Sequence, residues 1–281
     1  MMTKMFVRNH LRTGLIVVAA TIIASEPAAA SALNGLVAHR AVYEVELQAS
    51  TDRSGIAAMN GRIVYEITGS VCEGFAVAFR FVTRIDTGKK TFVTDQRTTT
   101  YEDGTGKNFR FATKTYVNDQ FEKEIRGKAS RTQDGTSISI LKPEGRNLEL
   151  GNAIFMTDHL SKVIEKALNG ETFFTADVFD GSENGDELMA TTTIIGKKRV
   201  FKPENNSAGF DALNDKDSWP VSISYFSMKN EQRGESLPIY QVSFDLFESG
   251  ISSRLKMKYD DYTLNGKLSS VKILPKSQCN N

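Results

Sequence analysis

Short segments in which apolar and polar side chains alternate dominate this chain of 281 residues, and they limit the folds that it can adopt. In the first of them, Ala41 to Leu47, every second residue is apolar. A period of two places successive side chains on opposite faces of a β-strand. Many such segments, separated by turns rich in Gly, Asn and Asp, predict a mainly β fold. Near the C-terminus, Asn265-Gly266 predicts a tight hairpin turn.

Only one stretch, 154–170, has the period of an amphipathic helix. Its apolar positions recur at i, i+3, i+4, i+7 and i+8, and they are Leu160, Val163, Ile164, Ala167 and Leu168. Thr157 is the predicted N-cap and Asn169-Gly170 the predicted stop, so the helix should cover about 157–169. Ser161 and Lys162 fall on its polar side.

A helix of about three turns is not stable alone in water, so its apolar stripe must pack on the strands. We therefore expect one curved sheet with this helix on its concave side. The sequence contains no fixed-period repeat and no Pro- or Ser-rich linker. Residues 33–281 are accordingly predicted to form a single domain.

The first 32 residues have the pattern of a cleavable secretion signal. Basic residues up to Arg12 are followed by an apolar core over 15–23 and by small residues that end at Ala32, the predicted cleavage point. An apolar core of this length is too short to span a bilayer, which needs about 20 residues. The mature chain is expected in the periplasm, and no later segment approaches transmembrane length.

The charge of the mature chain argues against two classes of partner. The leader holds three of the 35 basic residues and one of the 34 acidic ones, which leaves 32 and 33 in the mature chain. A net charge of −1 argues against nucleic acid or an anionic membrane surface as the main partner.

The two cysteines, Cys72 and Cys279, are far apart in the sequence. In an oxidising compartment a single pair is most simply a disulfide. It would join the C-terminal tail to the early strands. The alternatives are two free thiols, or a catalytic cysteine that works with a histidine.

Residues that could carry chemistry are few. The mature chain has two histidines, His39 and His159, and neither belongs to a hydrolase or metalloprotease motif. We interpret His159 as making a local structural hydrogen bond. The loop 180–186 has oxygen-bearing residues at alternate positions, as in the first half of a calcium loop, but Thr191 stands where a bidentate Glu is required. No catalytic, cofactor-binding or metal-binding residue is predicted, and calcium binding by this loop stays open.

Large aromatic side chains on successive strand faces are the remaining signal: Phe75, Phe79, Phe81, Phe109 and Phe111. They predict either a solid core closed by the helix or an apolar cavity with the helix as its gate. An apolar cavity with few polar groups suits acyl chains. On that interpretation, the five apolar positions of the helix would contact the ligand.

Several short motifs resemble the EipB family of periplasmic envelope-integrity proteins from alphaproteobacteria. They are Met156-Thr157-Asp158-His159 with Gly170-Glu171, Phe179-Asp180-Gly181-Ser182, Ser218-Trp219-Pro220-Val221, Ser243-Phe244 with Gly250, and the Cys72 and Cys279 pair. Their order and spacing cover essentially the whole mature chain. Met156 and Ser249 depart from the Pro and Asn that the family pattern has at these places, which suggests a diverged member.

The resemblance implies a many-stranded antiparallel sheet curled into a barrel-like spiral or bowl, with the helix in its concavity. It also implies the disulfide, no known catalytic activity, and a periplasmic tetratricopeptide-repeat protein as a partner. Our leading functional hypothesis is a non-enzymatic protein that supports cell-envelope integrity through protein contacts. The alternative is a binder or carrier of a hydrophobic envelope ligand, such as a lipid or a lipoprotein acyl chain. A hydrolase is the third and least supported class.

Overall fold

The computed structural model describes residues 33, 35–182, 184–202, 210–229, 237–275 and 277. The named elements of this part of the chain are fifteen strands, the α-helix α1 (Met156–Leu168) and a short 3-10 turn at Asp52–Ser54. The strands before the helix are β1 (His39–Ser50), β2 (Ala58–Ser70), β3 (Gly74–Asp86), β4 (Thr91–Glu102), β5 (Asn108–Val117), β6 (Gln120–Arg131), β7 (Thr136–Lys142) and β8 (Arg146–Leu150). Those after it are β9 (Phe173–Val178), β10 (Met189–Ile195), β11 (Arg199–Val200), β12 (Asp217–Ser227), β13 (Tyr240–Phe247), β14 (Ser252–Tyr259) and β15 (Tyr262–Ile273).

All the strands belong to one antiparallel sheet, in the order β8-β7-β6-β5-β4-β3-β2-β1-β15-β14-β13-β12-β10-β9, with β11 paired to β12. The first and last strands, β1 and β15, pair at the centre, so the sheet has an N-terminal arm and a C-terminal arm. The sheet does not close, since β8 and β9 are its edges. The predicted many-stranded antiparallel sheet with one amphipathic helix is confirmed.

The segment before α1 covers the edge strand β9. Ile154 forms a bridge with Val178, and its backbone N–H donates to the Asp177 carbonyl at 2.9 Å. The loop that follows β9 folds back onto β5, where Gly181 lies against Phe111. A Cβ at position 181 would be 2.5 Å from the Phe111 side chain, and the residue has a φ of 70°. Both facts require glycine there.

The helix packs between the two arms of the sheet. Val163, Ile164 and Ala167 are buried in one cluster with Phe75 of β3 and Leu246 of β13. Side chains from the two arms meet on the helix, which lies in the concavity as predicted. The observed bounds differ from the predicted 157–169 by one residue at each end.

Two side chains of the predicted helix do not have the burial that the period predicted. Leu168, expected on the buried stripe, is 48% exposed. Leu168 is the last residue of α1, where Asn169 and Gly170 turn the chain away from the sheet. It lies on the apolar side of the helix, but the sheet does not extend far enough to cover it. Ser161, expected on the polar side, is buried because strands surround the helix on more than one side.

The predicted hairpin at Asn265-Gly266 is also wrong. Both residues lie inside β15 and pair with β14, and the chain turns instead at Asp260 and Asp261. A Cβ at Gly266 would be 3.1 Å from the Leu255 side chain, so glycine serves close packing between strands here.

The predicted leader, residues 1–32, and Cys279 lie outside the described residues. Cys72 lies in the turn between β2 and β3, with its sulfur 3.1 Å from the Ser70 hydroxyl oxygen. Its pairing with Cys279 stays a prediction, as does the single domain over 33–281. No helix in the described part of the chain is long and apolar enough to cross a membrane.

Replacing Cys72 with serine is expected to lower the melting temperature of the oxidised mature protein. A disulfide that closes a loop of about 200 residues stabilises a protein by up to about 5 kcal/mol on the chain-entropy model. Calorimetry with and without reductant measures the effect, and reductant should destabilise the wild type but leave Cys72→Ser unchanged. Two free thiols in protein prepared from the periplasm would contradict the pairing.

Candidate ligand cavity

The concave side of the sheet borders a cavity of about 850 Å³. Binding pockets for small molecules have volumes of about 300–1,000 Å³. The cavity is lined by inward-facing side chains of both arms and by the first half of α1. The helix contributes Met156, Thr157, His159, Leu160 and Val163.

Aromatic and aliphatic side chains form much of the cavity wall. From the N-terminal arm come Tyr65, Val77, Phe79 and Phe81. From the C-terminal arm come four stacked tyrosines, Tyr225, Tyr240, Tyr259 and Tyr262. Successive ring centroids are 4.3, 6.1 and 4.7 Å apart. Burial raises the pKa of all four phenols, so these side chains are uncharged at neutral pH.

A second, polar part of the lining follows β4 and β5. We call it the threonine wall, and it consists of Thr94, Gln96, Thr98, Thr100, Thr113 and Thr115. The hydroxyls of Thr98 and Thr113, on opposite strands, are 2.9 Å apart. The Thr94 hydroxyl lies 2.6 Å from that of Thr83 on β3. The cavity is therefore amphipathic, with hydroxyl groups on one side and aromatic rings on the other.

The start of α1 is held by a buried carboxylate from a distant strand. Phe155 occupies the N-cap position and makes no side-chain cap, so the predicted Thr157 cap is wrong. Glu102 of β4 accepts hydrogen bonds from the backbone N–H groups of Thr157 at 2.7 Å and Asp158 at 3.0 Å. Burial raises the pKa of Glu102 to about 7, although these two hydrogen bonds oppose the shift.

The two histidines both line the cavity. Burial lowers the pKa of His159 to about 4, and its Nε2 has no hydrogen-bond partner among the described residues. The predicted local hydrogen bond of His159 is therefore wrong, and the ring lies against Phe174 at a centroid distance of 5.8 Å. His39 Nδ1 is 2.7 Å from the Val37 carbonyl oxygen, and burial lowers its pKa as well. Both rings are uncharged at neutral pH.

Two carboxylates of the calcium-like loop, 180–186, are bound by groups of the protein itself. Asp180 accepts a hydrogen bond from the Ser182 backbone N–H at 2.8 Å. Asp186 forms ion pairs with Arg146 at 2.7 Å and Lys229 at 2.5 Å. Within the described ranges, no group of three or more His, Cys, Asp or Glu residues is arranged to hold a metal ion.

The structure divides the side chains that the sequence grouped together. Leu160 and Val163 line the cavity, whereas Ile164 and Ala167 pack in the core and Leu168 is exposed. Of the five phenylalanines singled out, Phe79 and Phe81 line the cavity. The other three, Phe75, Phe109 and Phe111, are buried in core clusters. The threonine wall was not predicted from the sequence, although the uninterrupted polar run from Thr94 to Thr100, next to the aromatic strand β3, was a signal for it.

Comparison with known proteins gives a consistent result. The family model described as EipB-like matches residues 30–275. The "Cell envelope integrity protein EipB" of Brucella abortus (strain 2308) is 41% identical over 251 residues, which are 89% of this chain and 88% of that protein. A crystal structure of a "Beta-barrel-like Protein of Domain of Unknown Function DUF1849" from Brucella abortus superposes with a TM-score of 0.80 at 38% identity, covering 85% of this chain and 99% of that one. The chain therefore belongs to the EipB-like family.

Proposed function

We propose that this protein is a non-enzymatic periplasmic protein that supports cell-envelope integrity by binding a hydrophobic or amphiphilic envelope molecule in its cavity. The integrity role is supported by the name of the Brucella relative. The periplasmic location is supported by the leader pattern in the sequence. The binding role is carried by one observation, the cavity of about 850 Å³ inside the curled sheet.

The cavity favours binding over a purely structural core. Protein interiors are normally packed to the density of organic crystals, with few voids larger than a water molecule. A large space bordered by partly exposed Val77, Phe79 and Phe81 departs from this rule. Ligand pockets commonly have such a lining, with a few placed polar groups.

The packing of α1 argues for a fixed wall rather than a moving gate. Val163 and Ile164 are each 1% exposed, and both arms of the sheet contribute to their cluster. Moving the helix would expose that apolar surface to water, which costs about 25 cal/mol for each Å². Ligand entry is therefore assigned to the side of the cavity where the exposed Gln96 and Lys123 lie.

Protein contacts are the second candidate function, and an exposed apolar pair favours them. Phe173 and Ile194 are directly opposite each other on β9 and β10, and they are 57% and 55% exposed. Large apolar side chains grouped at a sheet edge are typical of interaction sites. A periplasmic tetratricopeptide-repeat protein is the partner that the family resemblance suggests.

Filling the cavity should remove the bound molecule. Val77→Trp puts a bulky side chain on the inner face of β3, whereas Ala78→Trp puts the same side chain on the exposed outer face. Mass spectrometry of organic extracts from the periplasmic protein should find a stoichiometric amphiphile with wild type and Ala78→Trp. It should find little with Val77→Trp.

In cells that lack the wild-type chain, Val77→Trp should fail to restore resistance to envelope stress. The double variant Phe173→Ser, Ile194→Ser should restore this resistance if ligand binding is the function. The opposite pattern, together with the absence of an extracted ligand, would favour the protein-contact role and contradict the binding role.

A further inference from the structure

The polarity of the cavity lining changes abruptly between two neighbouring strands. On the inner face of β3, Phe79 is paired with Thr98 of β4, and Phe81 is paired with Gln96. The next pairs carry the polar surface further, because Thr98 is opposite Thr113 of β5. A ligand in this cavity therefore meets rings on one side and hydroxyl groups on the other.

The hydroxyls of the threonine wall retain hydrogen-bonding capacity. A hydroxyl has one donor and two acceptor positions. The Thr98 and Thr113 pair uses one donor and one acceptor position between them. Thr100 and Thr115 make no side-chain hydrogen bond to any residue that the structure describes. The wall can therefore donate to and accept from a ligand at several points along two strands.

The charges around the cavity do not suit an ionic head group. Among the described residues that line it, Lys123 is cationic and Asp180 is acidic, and there is no arginine. Neighbouring Glu102 is buried with α1 and occupied by the helix amides. Both cavity histidines are uncharged at neutral pH because burial lowers their pKa values. A buried anionic head would need paired cationic donors, and a buried cationic head would need paired carboxylates.

We propose that the cavity takes an amphiphile with a hydrocarbon tail and an uncharged, hydroxyl-rich head, with the tail against the aromatic rings and the head hydroxyls against the threonine wall. This inference rests on the proposed binding function and specifies the chemical class of the ligand. It distinguishes the cavity from a purely apolar acyl-chain site, for which hydroxyl groups on the lining would have no use.

The test uses the oxidised mature protein with N-phenyl-1-naphthylamine, a neutral dye that becomes fluorescent in apolar sites. Octyl β-glucoside, octyl sulfate and octyltrimethylammonium, each below its micelle concentration, are then added as competitors with the same tail. The glucoside should displace the dye at a concentration about tenfold or more below those of the two charged compounds.

The variant Thr98→Val with Thr113→Val removes both hydroxyls of one pair and preserves side-chain shape. Because neither partner is left unsatisfied, the fold should tolerate this double change. The dye should bind the variant as it binds wild type, whereas the affinity for the glucoside should fall about tenfold or more. Thr99→Val, on the exposed outer face of β4, is the control and should leave both affinities unchanged.

Three results would overturn the inference and leave the proposed function standing. They are equal displacement by all three competitors, stronger displacement by a charged one, and an undiminished glucoside affinity in the Thr98→Val, Thr113→Val variant. If the dye does not bind, or binds equally well to Val77→Trp, the proposed function fails and this inference fails with it.

Discussion

Ile164→Ala is expected to lower the free energy of unfolding by about 2–5 kcal/mol, the range observed when a buried aliphatic side chain is truncated. Ile164 is 1% exposed and lies in the cluster that joins α1 to both arms of the sheet. Strands on both sides of the helix limit its collapse into the vacated space, so most of the cavity created by the substitution should persist. Denaturant unfolding monitored by circular dichroism gives the value.

Leu168→Ala is the matched control, because it removes a similar side chain from the exposed end of the same helix. Its cost should stay below about 1 kcal/mol, and Lys162→Ala should stay within about 0.5 kcal/mol. Amides of α1 should exchange as slowly as those of the central strands if the helix is a fixed wall. Equal small effects at positions 164 and 168, with fast exchange in α1, would contradict the packing described above.

Glu102→Gln is expected to change how stability depends on pH. The folded protein holds the Glu102 proton up to about pH 7, whereas the unfolded chain loses it near 4.5. The folded state is therefore favoured below pH 4.5, and this contribution disappears as the pH rises to about 7. The stability of Glu102→Gln relative to wild type should rise across this window by an amount on the order of 3 kcal/mol.

His159→Gln is expected to have the opposite effect in nearly the same window. Its folded-state pKa is about 4 against 6.5 for an unperturbed ring, so its stabilising contribution is present above pH 6.5 and lost as the pH falls to about 4. The stability of His159→Gln relative to wild type should therefore fall, by an amount on the order of 3 kcal/mol, as the pH rises from 4 to 6.5.

In the wild type these two contributions nearly cancel, because one falls while the other rises. Urea unfolding of the wild type and both variants at half-unit steps from pH 4 to 7.5 measures the differences. Glu102→Ala, which also removes the helix cap, should have the same pH slope as Glu102→Gln at lower overall stability. Parallel pH profiles for the wild type and the glutamine variants would mean that neither group has a shifted pKa.

Local patterns in the sequence determined the elements of this fold. The 3.6-residue period placed α1 to within one residue, and alternation identified the strands on both sides of it. Such patterns work because they report which face of an element is apolar, a property of neighbouring residues. Pro143, Glu144 and Gly145 lie between β7 and β8, and Leu148 and Leu150 continue the apolar alternation into β8.

The sequence pattern does not show which part of an apolar helix or strand face is covered by the rest of the protein. Only the tertiary structure decided this. Periodicity put Leu168 and Ile164 on one stripe, but the extent of the sheet around the helix left the first exposed and buried the second. The helix cap comes from Glu102, which lies 55 residues before Thr157, and no local pattern links them. Likewise, the threonine wall faces a cavity because the sheet curls until its two arms meet on α1. The sequence specifies which face of each strand is apolar, whereas the space inside the curled sheet depends on contacts between residues far apart in the chain.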